Sequence, residues 1–341
     1  MDVLEQRHAS KRKEAEPGRG AAVRIRREFA GRLRELSRRG PTWLAVMHLA
    51  LHGALAVGTA ALTAWMMRRD AVLGWVLYPV TAFFIATRLR ALGNMLHEAS
   101  HCALVDDRDA NVKLGQLLAI LDFSSYDLYT REHITHHVHL GDPEKDLDFA
   151  PRRRFGFDEP SPRFVHRHLL LPLTLFHVPS YVRPIFFRRE DGRMVQLGRA
   201  AWLVILVGTG IVAGGWNLLL FFVIPYLTAY QVLRYWSDAM DHAGIITDPE
   251  ELYRARNHVL PGRLLNWLIF PRNDEYHLVH HLFPGVPTRS QPALHRLLLS
   301  DPEYAGLEHR FSGLFTSGRV PLNVIPLRSS PMQERRRGGD A

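Results

Sequence analysis

The chain has very little cysteine: one residue, Cys102, in 341. That excludes an internal disulfide framework and any cysteine-built iron–sulfur or zinc site. The opening residues, MDVLEQRHASKRKEAEPGRG, lack the apolar core of a signal peptide and read as disordered. Also missing are an H-P-G-G haem signature, a flavin or nicotinamide fingerprint and an internal repeat of fixed period. Charge is not scarce but one-sided, with a net +9. The basic residues flank long apolar runs, which fits membrane orientation and argues against nucleic acid as a partner.

Long apolar runs are what the chain does have. Thr42 to Met67 contains no Lys, Arg, Asp or Glu and can cross a hydrocarbon core of about 30 Å at ~1.5 Å per residue. After the break MRRD comes a second run, Ala71 to Thr87. Ala200–Gly214 and Trp216–Val232, split by GGWN, form a second pair. The expectation is all-α: a four-span bundle of two hairpins, with a cytoplasmic helical cap and both termini cytoplasmic. Residues 114–123 are too short to span. Residues 168–187 are interrupted by Pro172, Pro179 and Pro184 and read as interfacial. Residues 1–41 form a basic arm, 42–290 the membrane domain and 291–341 a cytoplasmic tail. Within the arm, Val23, Phe29, Leu33 and Leu36 predict a basic amphipathic helix, lying either on anionic lipid or on the protein's own cap.

Histidine is the other abundance, with 19 residues. HEASH (97–101) fits H-E-x-x-H, the pattern of zinc hydrolases with a glutamate base. The chain brings more. His133, His136 and His137 in HITHH, and His277, His280 and His281 in HLVHH, repeat H-x-x-H-H, whose i, i+3 and i+4 positions share one helix face. Chance predicts roughly 0.06 such patterns at this histidine content, and two occur. With His97, His101 and His242 they make nine imidazoles. One catalytic zinc needs three protein ligands, whereas nine suffice for two metals. HEASH therefore reads as one third of a binuclear site. The rivals are a zinc-dependent membrane hydrolase using His97, Glu98 and His101, and a histidine-rich metal transporter, which would need ligands inside the spans.

The three boxes on a four-span plan resemble the integral-membrane fatty acid desaturase and hydroxylase superfamily, over roughly residues 42–290. HHVHLGDPEKDLDF and NDEYHLVHHLFPGVP look like its bacterial members. The resemblance implies two iron ions held by the box histidines and His242, and the use of dioxygen and two electrons to attack an unactivated C–H bond. It implies a fatty acyl or lipid-like substrate, with desaturation ahead of hydroxylation or ketone formation, in the cell (inner) membrane. The missing redox motifs place the electrons on a separate protein, such as ferredoxin with its reductase. Acyl-CoA desaturases have a water-linked asparagine one turn before the histidine that matches His242. This chain has Asp238, which would ligate directly or through water; Asn273 is a weaker candidate for the same task.

Glu98, Glu132, Asp142, Asp146 and Glu275 are candidates to accept a ligand's second ring N–H, with a solvated or capping role as the alternative. His139 falls off the ligand face and reads as structural. His48 and His52, one turn apart inside the first run, read either as a substrate-channel lining or as neutral, hydrogen-bonded histidines. Arg88 and Arg90 read as interface residues that snorkel or meet anions. RRR (152–154) and FRRE (187–190) read as a basic cytoplasmic surface.

Overall fold

A computed structural model describes residues 19–159, 163–186 and 192–311. Residues 1–18, 160–162, 187–191 and 312–341 lie outside them, so the expectation of a disordered start, the second basic cluster and most of the tail fall outside the described residues. Among the described residues the chain is helical, with isolated bridges (Gly40 to Val105, Val259 to Arg310) in place of strands.

Helix α1 spans Arg19–Phe29. Its Ala22, Ile25 and Phe29 are fully buried against Leu252, Leu278, Leu282, Leu294 and Tyr304. Arg24 and Arg26 reach across to Asp301 and Glu251. Of the two predicted placements the structure has the second: the apolar face lies on protein, and Val23, counted on that face, is 47% exposed.

Among the described residues, four helices are long and apolar enough to cross a membrane: α2 (Thr42–Arg69), α3 (Ala71–Ser100), α7 (Arg193–Ala213) and α8 (Gly215–His242). Their outward side chains are apolar, Val57, Val80, Val204, Ile211 and Val212 among them. Such faces are stable only against lipid or protein. The α2–α3 corner is a single extended residue, Asp70, whose carboxylate accepts from Leu73 N at 3.0 Å. Gly74 makes the corner possible, since a Cβ there would lie 2.6 Å from Met67 Cα. Farther along, Thr63 and Thr81 join the two helices by a 2.7 Å hydroxyl bond.

The second and fourth predicted runs end earlier than their helices do. At about 1.5 Å per residue, the 30 residues of α3 exceed the hydrocarbon thickness and carry HEASH beyond it. Helix α8 has a π-turn at Leu219–Val223 and a break at Thr228 before reaching His242. The remaining elements are short: α4 (Arg108–Leu121), α5 (Tyr126–His139), α6 (Val178–Phe186), α9 (Arg263–Ile269), α10 (His277–Leu282), α11 (Gln291–Leu298) and α12 (Pro302–Ala305). Helix α4 is too short to span, and the 165–186 segment is broken into pieces too short to do so. The latter turns through a left-handed Leu175 and buries His168 and His177 while exposing Leu170 and Leu173.

Candidate metal centre

Four elements converge on one place. The end of α3 supplies His97 and His101, α5 supplies His133, His136 and His137, the last residue of α8 is His242, and α10 supplies His277, His280 and His281. Ser125 starts α5 in the right register by accepting from Leu128 N. The nine rings sort into two groups able to hold a metal: His97, His101, His133, His137 and His280, and His136, His242, His277 and His281. Each H-x-x-H-H box serves both groups.

The donor atoms point inward. Within the first group, Nε2 of His133 lies 2.9 Å from that of His97 and 3.1 Å from that of His137, and His280 and His137 are 3.0 Å apart. In the second group the spacings are 3.1 Å (His136 to His242), 2.8 Å (His277 to His242) and 3.0 Å (His281 to His277). These are not all hydrogen bonds. His136 Nδ1 donates to Asp146 at 2.9 Å and His242 Nδ1 donates to the Arg254 carbonyl at 2.9 Å. Both Nε2 atoms then carry only a lone pair. Two lone pairs aimed at one point need a cation there. Ligands at ~2.1 Å and right angles stand about 3.0 Å apart, against about 3.4 Å in a tetrahedron, so the spacing fits more than four coordination positions.

The surroundings disfavour the charged form of five of the rings. Burial, then neighbouring imidazoles, push His101, His137, His277, His280 and His281 well below the usual histidine range. His101 Nε2 and His280 Nδ1 are buried without a hydrogen-bond partner. Such nitrogens suit a metal or an unfilled polar contact.

Asp146 orients a ring as expected; Asp148, which the sequence reading missed, does the same for His133 at 3.0 Å. Burial alone would raise Asp148, but Arg152 and His133 outweigh it and hold its carboxylate well below the usual range. Arg152 Nη1 donates to Asp148 Oδ1 and its Nε to Asp238 Oδ2, each at 2.7 Å, and the Tyr181 hydroxyl donates to the same Asp238 oxygen at 2.8 Å. Asp238 therefore stands outside both histidine groups, anchoring Arg152. That also removes Arg152 from the expected basic surface. Asp241 is a further acid at the site, accepting from His258 at 2.8 Å and lying 3.5 Å from His277 Nδ1.

Other candidates lie elsewhere. Glu98 is buried and accepts from Arg272, Thr288 N and Thr288 Oγ1, clamping the 271–288 segment onto α3. Asn273 donates to the Thr288 carbonyl. Asp142 caps Glu144 N and Lys145 N, and His139 is exposed. Glu132 lines a separate cavity, and Glu275 is buried near its box, with burial pushing its carboxyl up to about 7. Arg88 does not snorkel: it donates to the carbonyls of Trp267 and Leu268 over the Trp267 ring. Arg90 pairs with Asp274 at 2.8 Å. His48 and His52 accept from Arg272 and Arg88.

Residues 73–313 match the family model "Fatty acid desaturase". The chain belongs to that family. It is 30% identical over 264 residues to the dihydrorhizobitoxine desaturase of Bradyrhizobium elkanii, covering 72% of this chain and 74% of that protein. It is 24% identical over 272 residues to a chloroplastic omega-3 fatty acid desaturase of Sesamum indicum. The same identity and length hold for a temperature-sensitive sn-2 acyl-lipid omega-3 desaturase (ferredoxin) of Arabidopsis thaliana. These alignments take 72% of this chain but only 59% and 60% of the plant proteins. The family and the site agree on a desaturase-like oxidoreductase that belongs in a membrane, with a buried histidine cluster compatible with metal.

Proposed function

We propose that the protein is a di-iron desaturase that uses dioxygen and two electrons from a separate donor to introduce a double bond into a saturated acyl or lipid-like carbon chain. The balance is one CH2–CH2 unit, one O2, two electrons and two protons giving one CH=CH unit and two waters. The carrying observation is the pair of bare Nε2 lone pairs of His136 and His242, 3.1 Å apart, inside one of two histidine groups. Iron held at the two groups would supply dioxygen activation and hydrogen removal from an unactivated carbon.

The chain's own residues set the conditions. His97, His101, His133, His137 and His280 would hold one ion, and His136, His242, His277 and His281 the other. Asp146, Asp148 and the Arg254 carbonyl fix three rings in the tautomer that presents Nε2. Asp238, engaged by Arg152 and Tyr181, is a positioning residue. A hydrolytic zinc reading would need Glu98 as base, but that carboxylate is held by Arg272 and Thr288. One plant relative, named for ferredoxin, supports a ferredoxin-type donor.

Metal analysis of the purified protein with oxygen consumption tests this. Two irons per chain, and turnover only with dioxygen and an external reductant, are the expected results. His133→Ala and His280→Ala should lose iron and turnover, whereas His139→Ala retains both. One zinc per chain, or turnover without oxygen, would overturn the reading. A product with a new hydroxyl group would move it to the hydroxylase branch.

A further inference from the structure

Helix α9 sits at the edge of the membrane core. Its Trp267 and Leu268 carbonyls accept from Arg88 at 3.1 and 3.2 Å, and the Trp267 ring lies 4.0 Å from that guanidinium. Arg88 is 18 residues along α3 from the Asp70 corner, about 27 Å at ~1.5 Å per residue. With the corner at one boundary of a hydrocarbon core about 30 Å thick, α9 lies at the other. There it turns Leu264, Leu265 and Trp267 outward, 74%, 44% and 39% exposed. Asn266 faces inward, tied to Leu260 and Gly262. An apolar patch at this depth is covered by lipid, and tryptophan suits the boundary itself.

Beside the patch is a cavity of about 570 Å³. Leu51 of α2 and Trp267 belong both to its wall and to the exposed apolar surface, so it opens towards lipid. At ~30 Å³ per water-sized unit it holds roughly 19 non-hydrogen groups. That is more than a lone phosphate needs, and enough for a glycerophosphate with the first carbons of its chains. The wall carries four arginines, Arg263, Arg272, Arg289 and Arg296, against two glutamates, Glu98 and Glu275. With both acids ionised and the histidines neutral, two positive charges remain in surplus. Arg272 is taken by Glu98, which leaves Glu275 as the one acid of the wall for three exposed arginines. Arg289 also donates to the Arg38 carbonyl at 2.6 Å, which uses one of its five N–H donors. Guanidinium groups match phosphate oxygens through paired N–H donors.

We propose that this cavity holds the headgroup of an anionic phospholipid, its phosphate on Arg263, Arg289 and Arg296 and its chains along the exposed faces of α2 and α9. The bound lipid would join the start of α2 to the α9 and α11 parts of the cap. The cavity wall includes none of the nine clustered histidines, so the site stands independently of the metal reading.

The test is tryptophan fluorescence of the full chain in dioleoylphosphatidylcholine vesicles, with dibrominated phosphatidylglycerol or dibrominated phosphatidylcholine added in increasing proportion. Bromine quenches nearby tryptophans, and the part of the emission lost in Trp267→Phe reports this site. The expected result is saturable quenching of that part, at a phosphatidylglycerol proportion about five-fold or more below that needed with phosphatidylcholine. One basic residue beside an anionic lipid accounts for about five-fold. Arg263→Gln and Arg296→Gln should therefore each raise the required proportion about five-fold with iron content unchanged, and Arg263→Lys should recover most of the loss. Equal quenching of the parent protein by the two lipids overturns the proposal, a comparison that needs no variant to fold. A preference for phosphatidylglycerol that survives both arginine substitutions places the anion site elsewhere and overturns it as well. Displacement of the brominated lipid by an equal concentration of glycerophosphate would overturn the lipid in favour of a soluble phosphate ester.

Discussion

Asp142 and Asp148 sit in one acidic run, six positions apart, yet only one reaches a ligand. Asp142 caps a turn, while Asp148 receives the His133 N–H and is itself held by Arg152. Asp148→Asn should therefore lower iron affinity by about 10–100-fold, with Asp142→Asn indistinguishable from the parent in an iron-binding titration. Equal effects would show that the His133–Asp148 bond does not position the ring. Glu98 calls for a different reading. Its buried carboxylate balances Arg272, and breaking a buried pair by removing one charge costs about 3–5 kcal/mol. Glu98→Gln should lower the melting temperature while keeping bound iron and most turnover per iron. A variant that melts normally but is inactive would return the glutamate to chemistry. The eight box histidines stand out in the sequence, because i, i+3, i+4 spacing is a local property of helices, whereas His242 stands alone. Asp148 and the Asp238–Arg152–Tyr181 chain were not legible: the Arg152–Asp238 contact joins residues 86 positions apart, and no local periodicity encodes it.

At the scale of elements, the spans were legible where apolar residues run without interruption, and their ends were not. The apolar signal in α3 fades at Thr87, but the helix continues to Ser100, since Arg88 and Arg90 find carbonyl and carboxylate partners that keep the polar extension packed. Helix α1 illustrates the opposite limit. Its arginine-rich pattern suits lipid or protein equally, and what decides is a groove formed by residues more than 200 positions away. A Phe29→Ala substitution should then cost about 3–5 kcal/mol of stability, since Phe29 is 1% exposed in that groove. Val23→Ala, on the exposed side, should change little. Thermal unfolding in detergent checks both. If neither variant shifts the transition but both weaken vesicle binding, the helix belongs to the membrane surface.

At the scale of the whole molecule, the histidines constrain topology. Helices α3 and α8 end within a few residues of His97, His101 and His242, and these rings belong to groups that close with His133 and His277. The two helix ends must therefore lie on the same side of the membrane. Helices α2 and α7 begin on that side if each is antiparallel to its successor, which the one-residue corner at Asp70 and the break at Gly214 favour. The start of the chain, residues 101–192 and the part after His242 would then share one face, leaving Arg68 and Arg69 on the other. The excess of arginine and lysine on the shared face predicts that this face is the cytoplasmic one. In a Cys102→Ala background, Arg69→Cys should react with a membrane-impermeant maleimide added to intact spheroplasts. Lys145→Cys, exposed beside the site, should react only after lysis. Labelling of Lys145→Cys before lysis, with Arg69→Cys protected, would invert the orientation. Labelling of both would break the four-span arrangement, and the two helices that bring His97 and His242 together would need another explanation.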